Sequence, residues 1–332
     1  MATLAPRGTR RNGRRPTTPM EARKTRETPG AAGYLLGAGR HRASAGSIGL
    51  PMKTLPGVCL QANGQPSFIM KVSRLFLCLL LLVAVNAFAA EWKPAGDLDR
   101  QDVTTDLFYV KRTAVRPSDG REITAHLGFF TSRAFRLEVV DLGDGAEAAH
   151  PTFEDAFRAE GCVAGVNGGF FHPDWRPAGL VISGGSRINR FETAKLLSGV
   201  VYSDGRGIHL VRRAQFRDHP GINALLQTGP YLVEGVRPVR GLSASNPSRR
   251  SFLATDWRGH WVIGATLTPV TLAELAECLA APGALTGWRV DRAINLDGGS
   301  STGFFFDLGP DETPVTLRPW KRVRNLLGIA PR

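Results

Sequence analysis

Cysteine is scarce in this sequence, and it is poorly placed for a metal site or a disulfide framework. Of the 4 cysteines, Cys59 and Cys78 fall in the leader, so the body keeps only Cys162 and Cys278. No C-x-x-C pair and no H-E-x-x-H stretch occurs, and with them go the usual zinc spacings. Cys162 and Cys278 are either one disulfide, in an oxidising compartment, or two buried thiols. The body also lacks a charge excess, although the chain as a whole carries +13. Residues 1–69 hold 11 Lys/Arg against 2 Asp/Glu, whereas residues 91–332 hold 29 against 27. The basicity belongs to the leader, and the body has no feature that calls for a nucleic-acid partner. Internal repeats and a strict βα alternation are absent as well, which argues against a solenoid and against a doubly wound sheet.

The leader has a recognisable order. Met70–Lys71–Val72–Ser73–Arg74 is a short basic segment, Leu75–Val85 is apolar, and Ala87–Phe88–Ala89 is an A-x-A cleavage site. That is the pattern of a secretory signal peptide over 70–90, too short for a comfortable membrane span. It predicts a secreted or periplasmic protein with no stable membrane anchor after cleavage. Residues 1–69, rich in Arg, Gly, Pro, Ala and Thr, read as a spurious gene extension or a disordered tail. The domain to be explained is 91–332.

Within it strands are many and helices few. Glu91–Gln101 reads as a polar lead-in. Asp106–Lys111 and Glu122–Phe130 read as strands around the turn Arg116–Gly120. Phe135–Leu142 alternates apolar and polar residues, as a half-buried strand does. Pro151–Glu160 reads as a helix capped by Thr152, and Thr271–Leu272–Ala273–Glu274 is a capping box that opens a second. That box gives Glu274 a structural role. Glu234–Ser248, rich in Arg, Pro, Gly and Ser, reads as a surface loop. The expected fold is α+β, with mixed or antiparallel sheets and few flanking helices.

Two stretches share one design. In Cys162–Phe171 and in Arg292–Gly303 an apolar run ends in a short polar side chain, Asn167 or Asp297, and then in two glycines. Gly298 and Gly299 let the chain turn and bare its N–H groups, which suits an anion held beside a carboxylate. Thr228 stands likewise at the end of an apolar stretch, before Gly229. Gly299–Gly303 also matches G-x-S-x-G, which would make Ser301 a nucleophile. That elbow must pass into a helix and have its histidine later in the chain. Here Phe304–Phe306 reads as a strand and the last histidine is His260, so the serine-hydrolase reading is set aside.

Asn167–Gly168–Gly169–Phe170–Phe171, Thr228–Gly229–Pro230, Arg250 opening a strand, and Asn295–Leu296–Asp297–Gly298–Gly299–Ser300–Ser301 after a helix together resemble the phosphodiester glycosidase family. The likeness runs from about Leu107 to Ile329. In place of the Arg-Thr that this family shows before the strand, the chain has Arg249–Arg250–Ser251, which leaves open which arginine faces the site. The resemblance implies hydrolysis of the glycosidic C–O bond of sugar-1-phosphodiesters, in envelope or extracellular glycans. The site residues it implies are Asp297, Asn167 and Arg250 for catalysis. Gly168, Gly169, Thr228, Gly229, Gly298, Gly299, Ser300 and Ser301 would bind the glycosyl phosphodiester or polysaccharide substrate. Asp174 and Glu192 are candidates for a second carboxylate. No cofactor is required by these residues, and a divalent cation is the one left open. The alternatives are a non-catalytic carbohydrate-binding protein of the same fold and a metal-dependent phosphodiesterase.

The leader reading has a direct check. Mass spectrometry of the natural protein is expected to find peptides from Ala90 or Glu91 onward and none from Ala2–Lys53; any peptide from that segment contradicts it.

Overall fold

The structure, a computed structural model, describes residues 92–144 and 150–332. The expected extension 1–69 and the expected signal peptide 70–90 lie outside the described residues. After Trp92 the chain forms β1 (Lys93–Thr104), β2 (Leu107–Arg116), β3 (Arg121–Thr131) and β4 (Phe135–Asp141), then helix α1 (Phe153–Ala159). Next come β5 (Ala164–Asn167), β6 (Val181–Ser183), β7 (Ser186–Asn189), β8 (Gly199–Asp204) and β9 (Gly207–Arg212). They are followed by β10 (Ile222–Thr228), β11 (Tyr231–Glu234), β12 (Arg237–Pro238), β13 (Ser251–Thr255) and β14 (His260–Thr266). Helix α2 (Leu272–Ala280) precedes β15 (Arg292–Asn295), β16 (Phe304–Phe306), β17 (Val315–Leu317) and β18 (Asn325–Pro331).

Local chemistry explains many of these boundaries. The β2–β3 turn closes because the Gly120 amide donates to the Arg116 carbonyl at 2.9 Å, and Gly120 takes the left-handed φ of +68° that glycine tolerates. Along β4, Phe135, Leu137 and Val139 are buried while Arg136 and Glu138 are less so, as a period of two requires. Thr152 accepts from the Asp155 amide at the start of α1. At α2 the Thr271 and Glu274 side chains satisfy each other's backbone N–H groups, so Glu274 is the capping residue its sequence position implies.

The strands form three sheets. The largest has eight strands in the order β1-β2-β3-β14-β13-β15-β11-β12, and two five-strand sheets run β7-β6-β10-β8-β9 and β17-β16-β5-β18-β4. The pairings are antiparallel throughout, for example β13 with β15 and β5 with β18, which is the α+β arrangement expected. One large core joins all three sheets, with Tyr231, Ile294 and Leu296 packed among Val166, Phe304, Leu226 and Val201. On the other face of the eight-strand sheet, Leu275, Ala276 and Leu279 of α2 pack with Phe252, Val262 and Ala293. Helix α1 packs Phe157 with Cys162 and Phe305 on the sheet that holds β5.

Two expectations need correction. Glu91–Gln101 is not a lead-in: from Lys93 it is the first part of β1, an edge strand paired to β2 alone. Its polar composition hid it, because an edge strand gains its order from backbone pairing and its exposed charges protect the open edge. The Glu234–Ser248 segment is mostly loop, but Arg237–Pro238 pairs with β11. The two cysteines are free and buried, and they sit in separate clusters. Burial pushes the Cys162 thiol up to about 12 and raises that of Cys278.

Close packing sets a test of this frame. A Cβ added at Gly165 would come within 2.0 Å of Phe157 Cε1. Gly165→Ala is expected to cost about 1–3 kcal/mol through overpacking and to lower Tm by about 2–10 °C. An unchanged Tm in thermal denaturation would contradict the packing described.

Candidate active site

Strands β5, β10, β13 and β15 bring their loops to one place. Leu296 ends the apolar run after β15, and Asp297 follows as the chain leaves the sheet. Its backbone is held on both sides by the other glycine stretch. The Asp297 amide donates to the Gly168 carbonyl at 3.1 Å, and the Asn167 Nδ2 donates to the Asp297 carbonyl at 2.8 Å. Asn167 Oδ1 accepts from Ser251 Oγ at 2.5 Å and from the Gly303 amide at 3.0 Å. One buried amide thus joins β5, β13, the Asp297 turn and the approach to β16.

The layer below is equally well tied. Thr228 Oγ1 donates to the Asn295 carbonyl at 3.1 Å, and Asn295 Nδ2 donates to the Gly229 carbonyl at 3.0 Å. The Asn325 side chain accepts from the Gly169 amide at 2.8 Å, and its backbone carbonyl accepts from the Gly168 amide at 2.8 Å. A Cβ at Gly168 would fall 2.0 Å from Asn325 Oδ1, so only glycine lets the two segments approach this closely.

Asp297 itself faces a turn of donors. The Gly298 amide donates to Asp297 Oδ1 at 2.9 Å. Gly299 takes φ +65° and opens a short 3-10 turn over Gly299–Ser301. Strand β16 follows it, so the local geometry is not that of a nucleophile elbow. Burial raises the pKa of Asp297, opposed by the Ser301 hydroxyl, the Gly298 amide and the Lys321 ammonium. Ser301 Oγ lies near enough to favour the carboxylate electrostatically, yet it makes no aligned hydrogen bond, and neither does the buried Thr302 Oγ1.

Both arginines flank this turn, in different ways. Arg250 Nε donates to the Val270 carbonyl and Nη2 to the Asn246 carbonyl, each at 3.1 Å. Its Nη1 remains close to Gly298, 3.6 Å from where a Cβ would stand. Arg249 is 8% exposed, and its Nε and Nη2 have no hydrogen-bond partner. Its guanidinium stacks 4.0 Å from the centroid of Trp320, and its carbonyl accepts from the Gly299 amide at 2.8 Å. A cation–π contact is worth about 0.5–2 kcal/mol. Each buried donor left unpaired costs about 1–3 kcal/mol. The stack does not offset two such donors, so the ligand-free arrangement favours an incoming acceptor.

The structure brings together Asn167, Gly168, Gly169, Thr228, Gly229, Arg250, Asp297, Gly298, Gly299, Ser300 and Ser301. No hydrogen bond joins Asp174 or Glu192 to Asp297 among the described residues: Asp174 pairs with Arg176 at 3.8 Å and Glu192 with Arg190 at 2.8 Å. Among the described residues no group of three or more His, Cys, Asp or Glu is placed to hold a metal ion. Sequence reading missed Ser251, Asn325, Trp320 and Lys321, and it gave Arg249 no role of its own. Only Arg249 carried a signal, its place beside Arg250. The others meet the glycine turns from distant segments. Phe170 and Phe171 are both half-buried; Phe171 packs against the core cluster of α1, stacks on Trp175 at 5.4 Å between ring centroids, and has Lys321 Nζ 5.7 Å from its centroid.

A family model described as phosphodiester glycosidase matches residues 160–330, which takes in every site residue named above. No curated protein matches the chain. Among solved structures, a hypothetical protein from Synechocystis aligns with TM-score 0.51 and 15% identity, over 72% of this chain and 64% of that one. This chain therefore spans less than two thirds of that protein, and the likeness concerns the fold. The catalytic domain of zebrafish N-acetylglucosamine-1-phosphodiester alpha-N-acetylglucosaminidase, auto-inhibited by its pro-peptide, aligns with TM-score 0.48 and 16% identity, over 75% of this chain and 91% of that one.

The half-buried carboxylate has a signature in stability. Its folded-state pKa is raised, so the folded protein holds the proton more firmly than the unfolded chain, and ionising Asp297 as pH rises costs stability. Asp297→Asn is expected to raise Tm at pH 7, with the gain vanishing below about pH 3, where the wild-type carboxyl is also neutral. A variant less stable than wild type at pH 7 would contradict this.

Proposed function

The chain belongs to the phosphodiester glycosidase family, and we propose that it is a hydrolase that cleaves the glycosidic C–O bond of sugar-1-phosphodiesters. The observation that supports the reading best is the half-buried Asp297 beyond the tip of β15, its backbone clamped by Asn167 and Gly168, beside a turn whose buried Thr302 hydroxyl has no hydrogen-bond partner. Cleavage at the anomeric carbon makes a phosphate monoester the leaving group. Such a group departs as an anion, so the site needs donors on the phosphate more than it needs a strong acid.

The arrangement supports the following division of labour. Asp297, with its raised pKa, takes a proton from a water molecule as the water oxygen attacks the anomeric carbon. The carbon–oxygen bond to phosphate breaks, and its electron pair stays on the phosphate. The Ser300 and Ser301 hydroxyls and an arginine receive the charge, where charge-assisted hydrogen bonds are strong, while the Gly298 and Gly299 amides, which donate to Asp297 Oδ1 and to the Arg249 carbonyl, shape the turn. Asn167 acts as a positioning residue, because its side chain reaches the Asp297 backbone and not the solvent side of the turn. Thr228 and Gly229 lie against Asn295 and support the floor. Export through 70–90 and a substrate in envelope or extracellular glycan belong to the same proposal. No helix among the described residues is long and apolar enough to cross a membrane.

The test is a panel of glycosyl phosphodiesters, sugar nucleotides included, turned over in heavy-oxygen water and read by mass spectrometry. Label is expected in the free sugar and not in the phosphate, with the rate reduced about a hundredfold or more in Asp297→Asn. Label in the phosphate would mean P–O cleavage and a metal-dependent phosphodiesterase. Sugar binding without turnover on any member would leave a carbohydrate-binding protein.

A further inference from the structure

Arg249 is the one arginine at the site whose burial is not explained by its partners. Among the described residues no carboxylate pairs with it, and two of its nitrogens are buried without an acceptor. Burial also lowers its pKa, the direction expected of a cation held away from water and counter-charge. A buried guanidinium with two nitrogens unpaired is costly unless an anion arrives. The surroundings are prepared for one. In the adjoining turn Thr302 Oγ1 is buried without a hydrogen-bond partner, and the buried Ser301 Oγ has only the nearby Asp297 carboxyl. Gly299 is tied to the Arg249 carbonyl, so the turn is tethered to the arginine's backbone.

What covers Arg249 is Trp320. The residue is 76% exposed, and its ring rests on the guanidinium at 4.0 Å. Its amide donates to the Ser300 carbonyl at 2.8 Å, so the backbone is anchored to the donor turn while the ring is held by one stacking contact. Arg250 is built differently. Its Nε and Nη2 are spent on the Val270 and Asn246 carbonyls, which makes it a strut between the β12–β13 loop and the start of α2.

We propose that Arg249 and the Gly299–Thr302 turn form the binding site for a phosphate group, with Trp320 as a cover that the arriving phosphate displaces. That the anion is a phosphate rests on the hydrolase reading above; that the site takes an oxyanion rests on the geometry alone. Arg249, and not Arg250, then sets the preference for a phosphorylated substrate over a neutral glycoside.

The test uses the full-length protein and inorganic phosphate as probe, with binding read by calorimetry and by indole emission. Phosphate is expected to bind and to change the emission. Arg249→Gln is expected to weaken binding by about tenfold or more, the loss of a charge-assisted pair. Arg250→Gln is expected to change it less, with Tm recorded for both. Trp320→Phe is expected to keep calorimetric binding and lose the emission change. No phosphate binding by the wild type, or equal binding by Arg249→Gln, would overturn the site. An emission change that survives in Trp320→Phe would overturn the cover. The two readings separate cleanly. Phosphate binding that depends on Arg249, without turnover of any phosphodiester, keeps the anion site and defeats the hydrolase. Phosphodiester turnover with KM unchanged in Arg249→Gln does the reverse.

Discussion

The side-chain amide of Asn167 is the constraint on which the site depends. Its nitrogen holds the Asp297 carbonyl, and its oxygen holds Ser251 and Gly303. These four segments belong to two different sheets and are far apart in sequence. A buried amide that makes three hydrogen bonds is held firmly, since breaking any one leaves a desolvated group unpaired. The Asp297 carboxylate inherits that rigidity. Its position is fixed through its backbone, so its side chain is left to face the donor turn and any substrate.

The two glycine stretches were legible because each needs a local backbone that the sequence announces. Asn167–Gly168–Gly169 and Asp297–Gly298–Gly299 place a polar tip and a tight turn at the end of a buried strand, and both stand as expected. The capped helices were legible for the same local reason. What could not be read locally is what meets those turns from elsewhere. Asn325 has no motif of its own, yet it holds the Gly168 and Gly169 amides. Trp320 looks like any surface aromatic until its ring is found on Arg249. The edge strand β1 was hidden by its charges. Its order comes from β2, and a polar composition carries no trace of that pairing.

The electrostatics of the site follow from this architecture. Packing around the tips of β5 and β15 desolvates the half-buried carboxylate in part and raises its pKa. The same packing leaves Arg249 and Thr302 with donors that no protein group satisfies. Elsewhere the fold pairs its charges well, as with Arg121 and Glu274 at 3.0 Å or Arg318 and Glu154 at 2.8 Å. Unpaired donors beside a half-buried acid of raised pKa suit a ligand site. They would be a poor choice for a surface with only a structural task.

The central claim is that Asn167 keeps Asp297 in its partly desolvated, raised-pKa position. The measurement that tests it most directly is the titration of the Asp297 carboxyl by NMR, with carbon-labelled aspartate, in the wild type and in Asn167→Ala. The account predicts a raised pKa in the wild type that falls toward the ordinary carboxylate value of about 3.9 in the variant. An Asp297 that titrates alike in both proteins would contradict it.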